Sequence, residues 1–327
     1  MSDKDNMAYT RSEVFAPASM GNFGVVFDVV GVAFQEPGDI LCAEFDDDAN
    51  NGLYDQSRAI ITRIEGDNGR LPTDPLKNTA SIAANSTLKL IGAEQHVKLT
   101  LYKKLPLASG MGSSAASAVA GALAVNALFG EPLSRVELLP ACLDGEMAVS
   151  GFHPDNVGPS LLGGITLITG EMLDEIAQLP VPDHLHFALV TPDAAIPTSE
   201  ARALLPKSIS LKNMVAQTGA VARLIDALYR GDLEAMTAAM ENDVVIEPAR
   251  ARLIPMLHEA RATAKRSGAL GLVISGAGPT LCAICDSSDA AQKVAAALGV
   301  MYEDADIDSL TRATQVSTEG AKVLSVE

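Results

Sequence analysis

Apolar and polar positions change period along the chain, and the changes outline its elements. In HVKLTLYKK (96–104), Val97, Leu99 and Leu101 fall on one face and Lys98, Thr100 and Tyr102 on the other. A period of two predicts a half-buried strand. Before it, EVFAPAS, VVFDVVGVAF and DILCAEF are short β-branched and aromatic runs broken by Gly, Pro or Asp, and they predict strands. Residues 73–90 are long and Ala-rich enough for a helix, with Pro75 tolerated in its first turn. The pattern is helical again over 113–129 and 133–149, and GGITLITG (163–170) returns to strand. The Pro-rich QLPVPDH (178–184) marks a boundary between residues 1–178 and 179–327. Beyond it lie the strand LHFALVTP, amphipathic helices between 199 and 266, and the hairpin-like LGLVISGAGPTLCAIC (270–285). Strands and helices mix without strict βαβ alternation, which predicts an α+β fold in two lobes.

Composition narrows the class. Of the 327 residues, 48% are hydrophobic and 20% charged, which fits a globular chain and argues against long disorder. Lys and Arg number 24 against 41 Asp and Glu, a net charge of −17. With no basic cluster to neutralise phosphates, nucleic acid is excluded as a partner, and an anionic membrane surface is disfavoured. MSDKDNMAYTRSEV lacks the apolar core of a secretory signal. The apolar stretch 115–129 is shorter than the roughly 20 residues of a membrane span and contains Asn126. A cytoplasmic protein is expected. Cys42, Cys142, Cys282 and Cys285 do not suggest a disulfide framework. Cys282 and Cys285 form C-x-x-C within a strand pattern, where positions three apart face opposite ways, so buried thiols are expected.

The chemistry concentrates in KKLPLASGMGSSAASAVAGALAVN (103–126). A strand ends, a Pro turn follows, and Gly110-Met111-Gly112-Ser113-Ser114 leads into an Ala-rich helix. Glycines let backbone N–H groups turn towards one point, and the helix N-terminus adds orphan donors and partial positive charge. The result suits a polyphosphate, with a Ser available to a metal ion. A Walker loop needs Gly-Lys before Ser/Thr, and no Gly-Lys occurs in the chain. Gly110, Gly112 and Ala115 satisfy the dinucleotide spacing G-x-G-x-x-A. However, residues 105–109 separate it from its strand, and a second helix follows where a second strand is required. A glycine turn without a ligand remains the alternative.

PLASGMGSSAA resembles the phosphate-binding motif of the GHMP kinases. APASMGNFGVVFDVVG (16–31) resembles that family's N-terminal motif, and ISGAGPTLCAIC (274–285) its C-terminal glycine motif. HPDNVGPSLLGG (153–164), IPTSEARALLP (196–206) and IEPARARLIP (246–255) are similar to the homoserine kinase branch, so the resemblance covers essentially the whole chain. It implies an α+β, two-lobed GHMP kinase fold. The ribosomal-S5-like N-terminal lobe (1–178) would bind ATP, and the ferredoxin-like C-terminal lobe (179–327) would complete the substrate site. It also implies a homodimer that transfers the γ-phosphoryl group of ATP to the side-chain hydroxyl of L-homoserine, in threonine biosynthesis. Three departures stand out: Val26 where the family carries Gly, Met111 where it carries Leu, and a Glu146–His153 spacing one residue shorter than the pattern.

The resemblance also assigns roles. Pro106, Ser109, Gly110, Met111, Gly112, Ser113, Ser114 and Ala115 would wrap the phosphates. Ser114 and Glu146 would hold Mg²⁺, a hard cation that takes oxygen ligands. Asn78 would lie near the adenosine, and Gly276 and Gly278 would let a second loop approach the substrates. Asp28 would accept the amino group, and Arg202 and Arg250 would grip the carboxylate, which guanidinium geometry matches in bidentate fashion. Asn22 and His153 would lie near the hydroxyl or the transferred phosphoryl. Taken singly, each has a plainer reading. Asp28 could cap a turn, and His153 could be an exposed loop residue. Arg202 and Arg250 could pair with Glu200 and Glu247. Glu146 and Asn78 could be surface or polar helix residues, and the glycine pair a hairpin turn. No strong general base stands out, so metal, loop amides and alignment are expected to carry the rate. The rival functions are another GHMP-type small-molecule kinase, or a nucleotide- or amino-acid-binding sensor without turnover, for which Val26 is the support.

Overall fold

The alternation over 96–104 becomes the centre of a sheet. The computed structural model describes residues 9–46, 57–149, 151–169 and 176–327; residues 1–8 and Gly170, included in the segments above, lie outside the described residues. The first sheet contains strands β1 (Arg11–Met20), β2 (Val30–Phe45), β3 (Ala59–Glu65), β4 (Val97–Tyr102), β5 (Ile165–Ile168) and β6 (Ile176–Leu179). Val97, Leu99 and Leu101 of β4 point into its core as the period predicts. Strand β4 lies between β2, antiparallel, and β3, parallel. Helices α1 (Thr79–Ile91), α2 (Ser113–Leu128) and α4 (Pro154–Leu162) pack on this sheet, and α3 (Arg135–Met147) packs on these helices. Helix α2 is buried all round apart from Ser114, so its small side chains let it lie directly on β1 and β2 between α1 and α3.

The second sheet has the order β10–β7–β9–β8, from β7 (His186–Pro192), β8 (Gly271–Ile274), β9 (Leu281–Cys285) and β10 (Ser309–Gln315). Its two faces serve two cores. Phe187, Leu189, Cys282 and Ile284 join the large core shared with the first sheet and with α6 (Leu211–Arg230) and α7 (Leu233–Met240). Ala188, Val190, Ala283 and Cys285 face α9 (Leu257–Ser267) and α10 (Ser288–Asp304). The C-x-x-C thiols therefore lie on opposite faces, and burial pushes both pKa values up. The short helices α5 (Thr198–Ala203) and α8 (Ile246–Arg250) project from this lobe towards the first. Among the described residues no helix is long and apolar enough to cross a membrane.

Several expectations shift. Residues 25–29 form a turn rather than a strand, because Asn22, Gly24 and Asp28 take φ of 67°, 69° and 61°, which extended backbone forbids. Strand β2 then runs from Val30 through Pro37 to Phe45, so DILCAEF is its second half. A register irregularity opposite Pro17 and Ser19 absorbs the break. Helix α1 starts at Thr79, with Pro75 in the preceding turn and Asn78 as its cap. The closing strand β11 (Lys322–Val326) pairs with the edge of β1, so a cut at 178/179 leaves β11 on the far side and also falls within β6.

Lys103 continues the inward face of β4, and its ammonium forms a fully buried ion pair with Asp39 of β2. It also donates to the carbonyl of Ser113 at 2.6 Å and to Ser117 Oγ at 2.9 Å. The other oxygen of Asp39 accepts the N–H groups of Lys104 and Leu105 at 3.0 and 3.1 Å. One satisfied pair thus ties the end of β4, the start of the glycine loop and the first turn of α2 to β2. Lys103→Met leaves Asp39 charged, buried and without its cation. It is expected to cost about 3–5 kcal/mol of stability, measured by urea unfolding.

Candidate active site

The glycine loop between β4 and α2 is held by its carbonyls. Those of Ala108, Ser109 and Gly110 accept from Ile196 N–H (3.2 Å), Thr280 N–H (3.1 Å) and Ser275 Oγ (2.8 Å), all in the second lobe. The carbonyl of Met111 accepts from Ser19 N–H at 3.1 Å. Gly110 has φ of 79°, and a Cβ there would fall 2.2 Å from the Ser275 carbonyl, so only glycine permits the two loops to meet. Ser113 and Ser114 open α2. Ser113 Oγ is buried without a hydrogen-bond partner. Ser114 Oγ donates to Glu146 Oε1 at 2.9 Å, and Glu146, on α3, is only 3% exposed.

A cleft of about 460 Å³ runs from this helix N-terminus to a cluster of charged side chains. At its far end Asn22 ties three segments together. Its N–H donates to Asp155 Oδ2 at 2.9 Å, its Nδ2 to the Gly276 carbonyl at 3.1 Å, and its Oδ1 accepts Asp28 N–H at 3.0 Å. Arg202 Nη2 donates to both oxygens of Asp28 at 2.9 Å and lies 3.3 Å from His153 Nδ1. Arg250 Nη1 donates to the Gly276 carbonyl at 2.9 Å, while its buried Nε has no partner. Both guanidinium groups stand over the Phe27 ring, at 5.3 and 5.4 Å from its centroid. Burial, then the nearby Arg202 charge, lowers the Arg250 pKa; Asp28 and Asp155 oppose them. Asp155 is 1% exposed, and its carboxyl is pushed up to about 7 by burial and then by the charge of Asp28.

Most residues singled out from the sequence line this cleft. They include Asn22, Asp28, Asn78, Ser109, Gly110, Gly112, Ser113, Ser114, Glu146, His153, Arg202, Arg250 and Gly276. Four do not. Pro106 lines an adjoining pocket, and its carbonyl accepts Ser109 Oγ. Met111 is buried beneath the loop, with Thr191 Oγ1 3.7 Å from its sulfur, and Ala115 lies in the large core. Gly278 turns to the second lobe, where a Cβ would fall 2.3 Å from Ile254 Cδ1. The plainer readings also change. Glu146 and His153 are buried rather than exposed, and Glu247 pairs with Arg261 rather than Arg250. Asn78 both lines the cleft and caps α1, with its Nδ2 on the Pro72 carbonyl. Val26 is buried outside the positive-φ positions, which fall on Asn22, Gly24 and Asp28. Two cleft residues have no role among the sequence motifs: Asp155, which lies inside HPDN, and Lys103, which the β4 alternation points inward.

The GHMP kinases N terminal domain model matches residues 78–164, and the GHMP kinases C terminal model residues 224–304. The homoserine kinase of Chloroherpeton thalassium is 41% identical over 95% of this chain and 98% of its own. That of Arabidopsis thaliana is 37% identical over 88% of this chain and 77% of its own. The crystal structure of homoserine kinase from Cytophaga hutchinsonii, 39% identical, superposes with a TM-score of 0.89 over 99% of both chains. The chain belongs to the GHMP kinases, ATP-dependent enzymes that phosphorylate a hydroxyl group. Within them it belongs to the homoserine kinase family.

The burial of Asp155 has a consequence for stability. Its carboxyl is raised in the folded protein from the ordinary value near 3.8 to about 7, so folding binds a proton between those values and stability falls as pH rises through them. Asp155→Asn removes that loss and keeps an oxygen for Asn22 N–H. Its melting temperature is expected to exceed that of the wild type above about pH 7, with the gap closing towards pH 4, in thermal scans across that range.

Proposed function

We propose that the chain transfers the γ-phosphoryl group of ATP to the side-chain hydroxyl of L-homoserine, giving O-phospho-L-homoserine, in cytoplasmic threonine biosynthesis. The observation that carries this reading is a single cleft that joins the N-terminus of α2 to the Asp28–Arg202–Arg250 charges. One end suits a polyphosphate and the other a zwitterion. A homodimer belongs to the same reading, supported by the family resemblance.

On the nucleotide side, the loop amides and the first turn of α2 would bind the phosphates, with Ser113 Oγ as a further donor. Ser114 and Glu146 present a hydroxyl and a carboxylate 2.9 Å apart, a hard-oxygen donor set that fits Mg²⁺. When bound, Mg²⁺ supplies neutralisation of charge on the phosphoryl oxygens. On the acceptor side, Asp28 and Arg202 satisfy each other in the free protein. The ammonium of homoserine would take the place of Arg202 on Asp28. Arg202 would then turn to the substrate carboxylate beside Arg250. Asn22 and His153 flank that pair and would orient the hydroxyl towards the phosphate end. Catalysis then rests on alignment and electrostatics, with no dedicated side-chain base.

ADP release by the purified protein with Mg-ATP and, separately, L-homoserine, mevalonate, galactose, L-threonine and L-serine tests the reading. Strong release is expected with homoserine alone. Preference for mevalonate would keep the kinase and overturn the acceptor. Arg202→Ala and Arg250→Ala are each expected to weaken homoserine recognition by about 2–5 kcal/mol in kcat/KM while KM for ATP changes little. Equal losses for both substrates would make these arginines structural.

A further inference from the structure

Asp28, His153 and Asp155 each bring one donor atom within 4.8 Å of the other two, at the acceptor end of the cleft. Arg202 answers Asp28, but the contacts of Asp155 are neutral: Asn22 N–H at 2.9 Å and Asn156 Nδ2 at 3.5 Å. Asp155 is buried and Asp28 half-buried, so the two carboxylates repel at this separation and Asp155 ionises at a cost that a cation between them would lift. Across the same cleft the unpartnered Nε of buried Arg250 lacks an anion. A ligand carrying both charges would complete both halves. We propose that the amino group of the acceptor is held by two carboxylates, Asp28 and Asp155, which makes Asp155 a specificity-determining residue for an α-amino acid over the corresponding hydroxy acid. The proposal rests on the homoserine reading above and deepens it.

Proton linkage makes it measurable. The charged and titratable groups around Asp155 are His153 on its own helix, Asp28 on the 25–29 turn, Arg202 on α5 and Arg250 on α8. In the free protein Asp155 carries its proton below about pH 7, because burial and Asp28 both disfavour the anion. An ammonium between the two carboxylates reverses that preference. Below about pH 7 each homoserine bound must then expel a proton, and affinity falls about tenfold per pH unit; above it affinity is level.

Calorimetric titration of the full chain with L-homoserine and with 4-hydroxybutanoate, the same acceptor without its amino group, is the test. It would run between about pH 5.5 and 8, in buffers of contrasting ionisation heat. Homoserine is expected to bind about tenfold more weakly at about pH 6 than at about pH 8, with about one proton released at the lower pH, and 4-hydroxybutanoate to show no such slope. Asp155→Asn is expected to flatten the homoserine profile and to reduce the preference for homoserine over 4-hydroxybutanoate at least tenfold. His153→Gln is expected to keep the slope, which separates the two titrating groups. Tight homoserine binding with a level wild-type profile, an unchanged slope in Asp155→Asn, or an equal slope for 4-hydroxybutanoate would overturn the proposal alone. Absence of homoserine binding at every pH, with ATP still bound, would overturn the homoserine reading and the proposal with it.

Discussion

The carbonyls of Ala108, Ser109, Gly110 and Met111 are all committed to partners outside their own loop, three of them in the second lobe. A trans peptide is planar and aims the next N–H opposite its carbonyl. Once those carbonyls are anchored, the N–H groups of residues 109–112 are turned away from the anchors without any further device. The side of the loop proposed to bind phosphate therefore depends on the lobes being packed together. The first lobe alone supplies Ser19 and the Lys103–Asp39 pair, which hold the two ends of the loop. The shared core, with Phe187 and Leu189 of β7 beside residues of the first sheet, maintains the packing that the other anchors need.

The second glycine loop extends the same constraint to the acceptor. Ser275 holds the carbonyl of Gly110, and the carbonyl of Gly276 accepts from both Asn22 and Arg250. Two adjacent residues thus connect the phosphate end of the cleft to the groups around Asp28. For a reaction whose transition state offers the protein little covalent chemistry, the separation of donor and acceptor is the quantity that matters. Here the two loops meet through side-chain donors of Ser275, Asn22 and Arg250 that close on the backbone carbonyls of Gly110 and Gly276.

What was legible in the chain was local. The β4 alternation needs only its own residues, and the glycine loop announces itself through φ values that glycine tolerates and a helix that follows at once. The 25–29 turn was hidden because Val25, Val26, Val29 and Val30 imitate a buried strand, while Phe27 is apolar so that two guanidinium groups can stand over it. Asp155 was hidden differently. Its burial comes from segments more than 100 positions away, including Gly31, where a Cβ would fall 1.7 Å from the Asp155 carbonyl. Period alone gave Lys103 an inward direction but could not supply Asp39, its partner from another strand. Nor could any local pattern show that β11 returns to pair with β1. Motif resemblance brought Asn22, Asp28, Arg202 and Arg250 together because it carries long-range proximity that periodicity does not contain.

The charges at the acceptor end argue for one class of ligand. Arg202 and Arg250 both stand by the ring of Phe27, and the carboxylates of Asp28, Asp155 and Asp243 oppose the effect of their mutual repulsion on Arg250 without cancelling it. Asp28 and Asp155 crowd each other in the same way. A neutral sugar would cover both crowded pairs and relieve neither, because it brings no anion to Arg250 and no cation to Asp155. A hydroxy acid such as mevalonate would answer the arginines but, by drawing Arg202 away from Asp28, would leave two carboxylates facing each other. An amino acid answers each pair with the opposite charge, so opening the Asp28–Arg202 bridge exchanges one ion pair for two. If the proposed acceptor site holds, selectivity at this end of the cleft would follow from the penalty each competitor incurs by leaving a like-charged pair unanswered, more than from the fit of the substrate's short carbon chain.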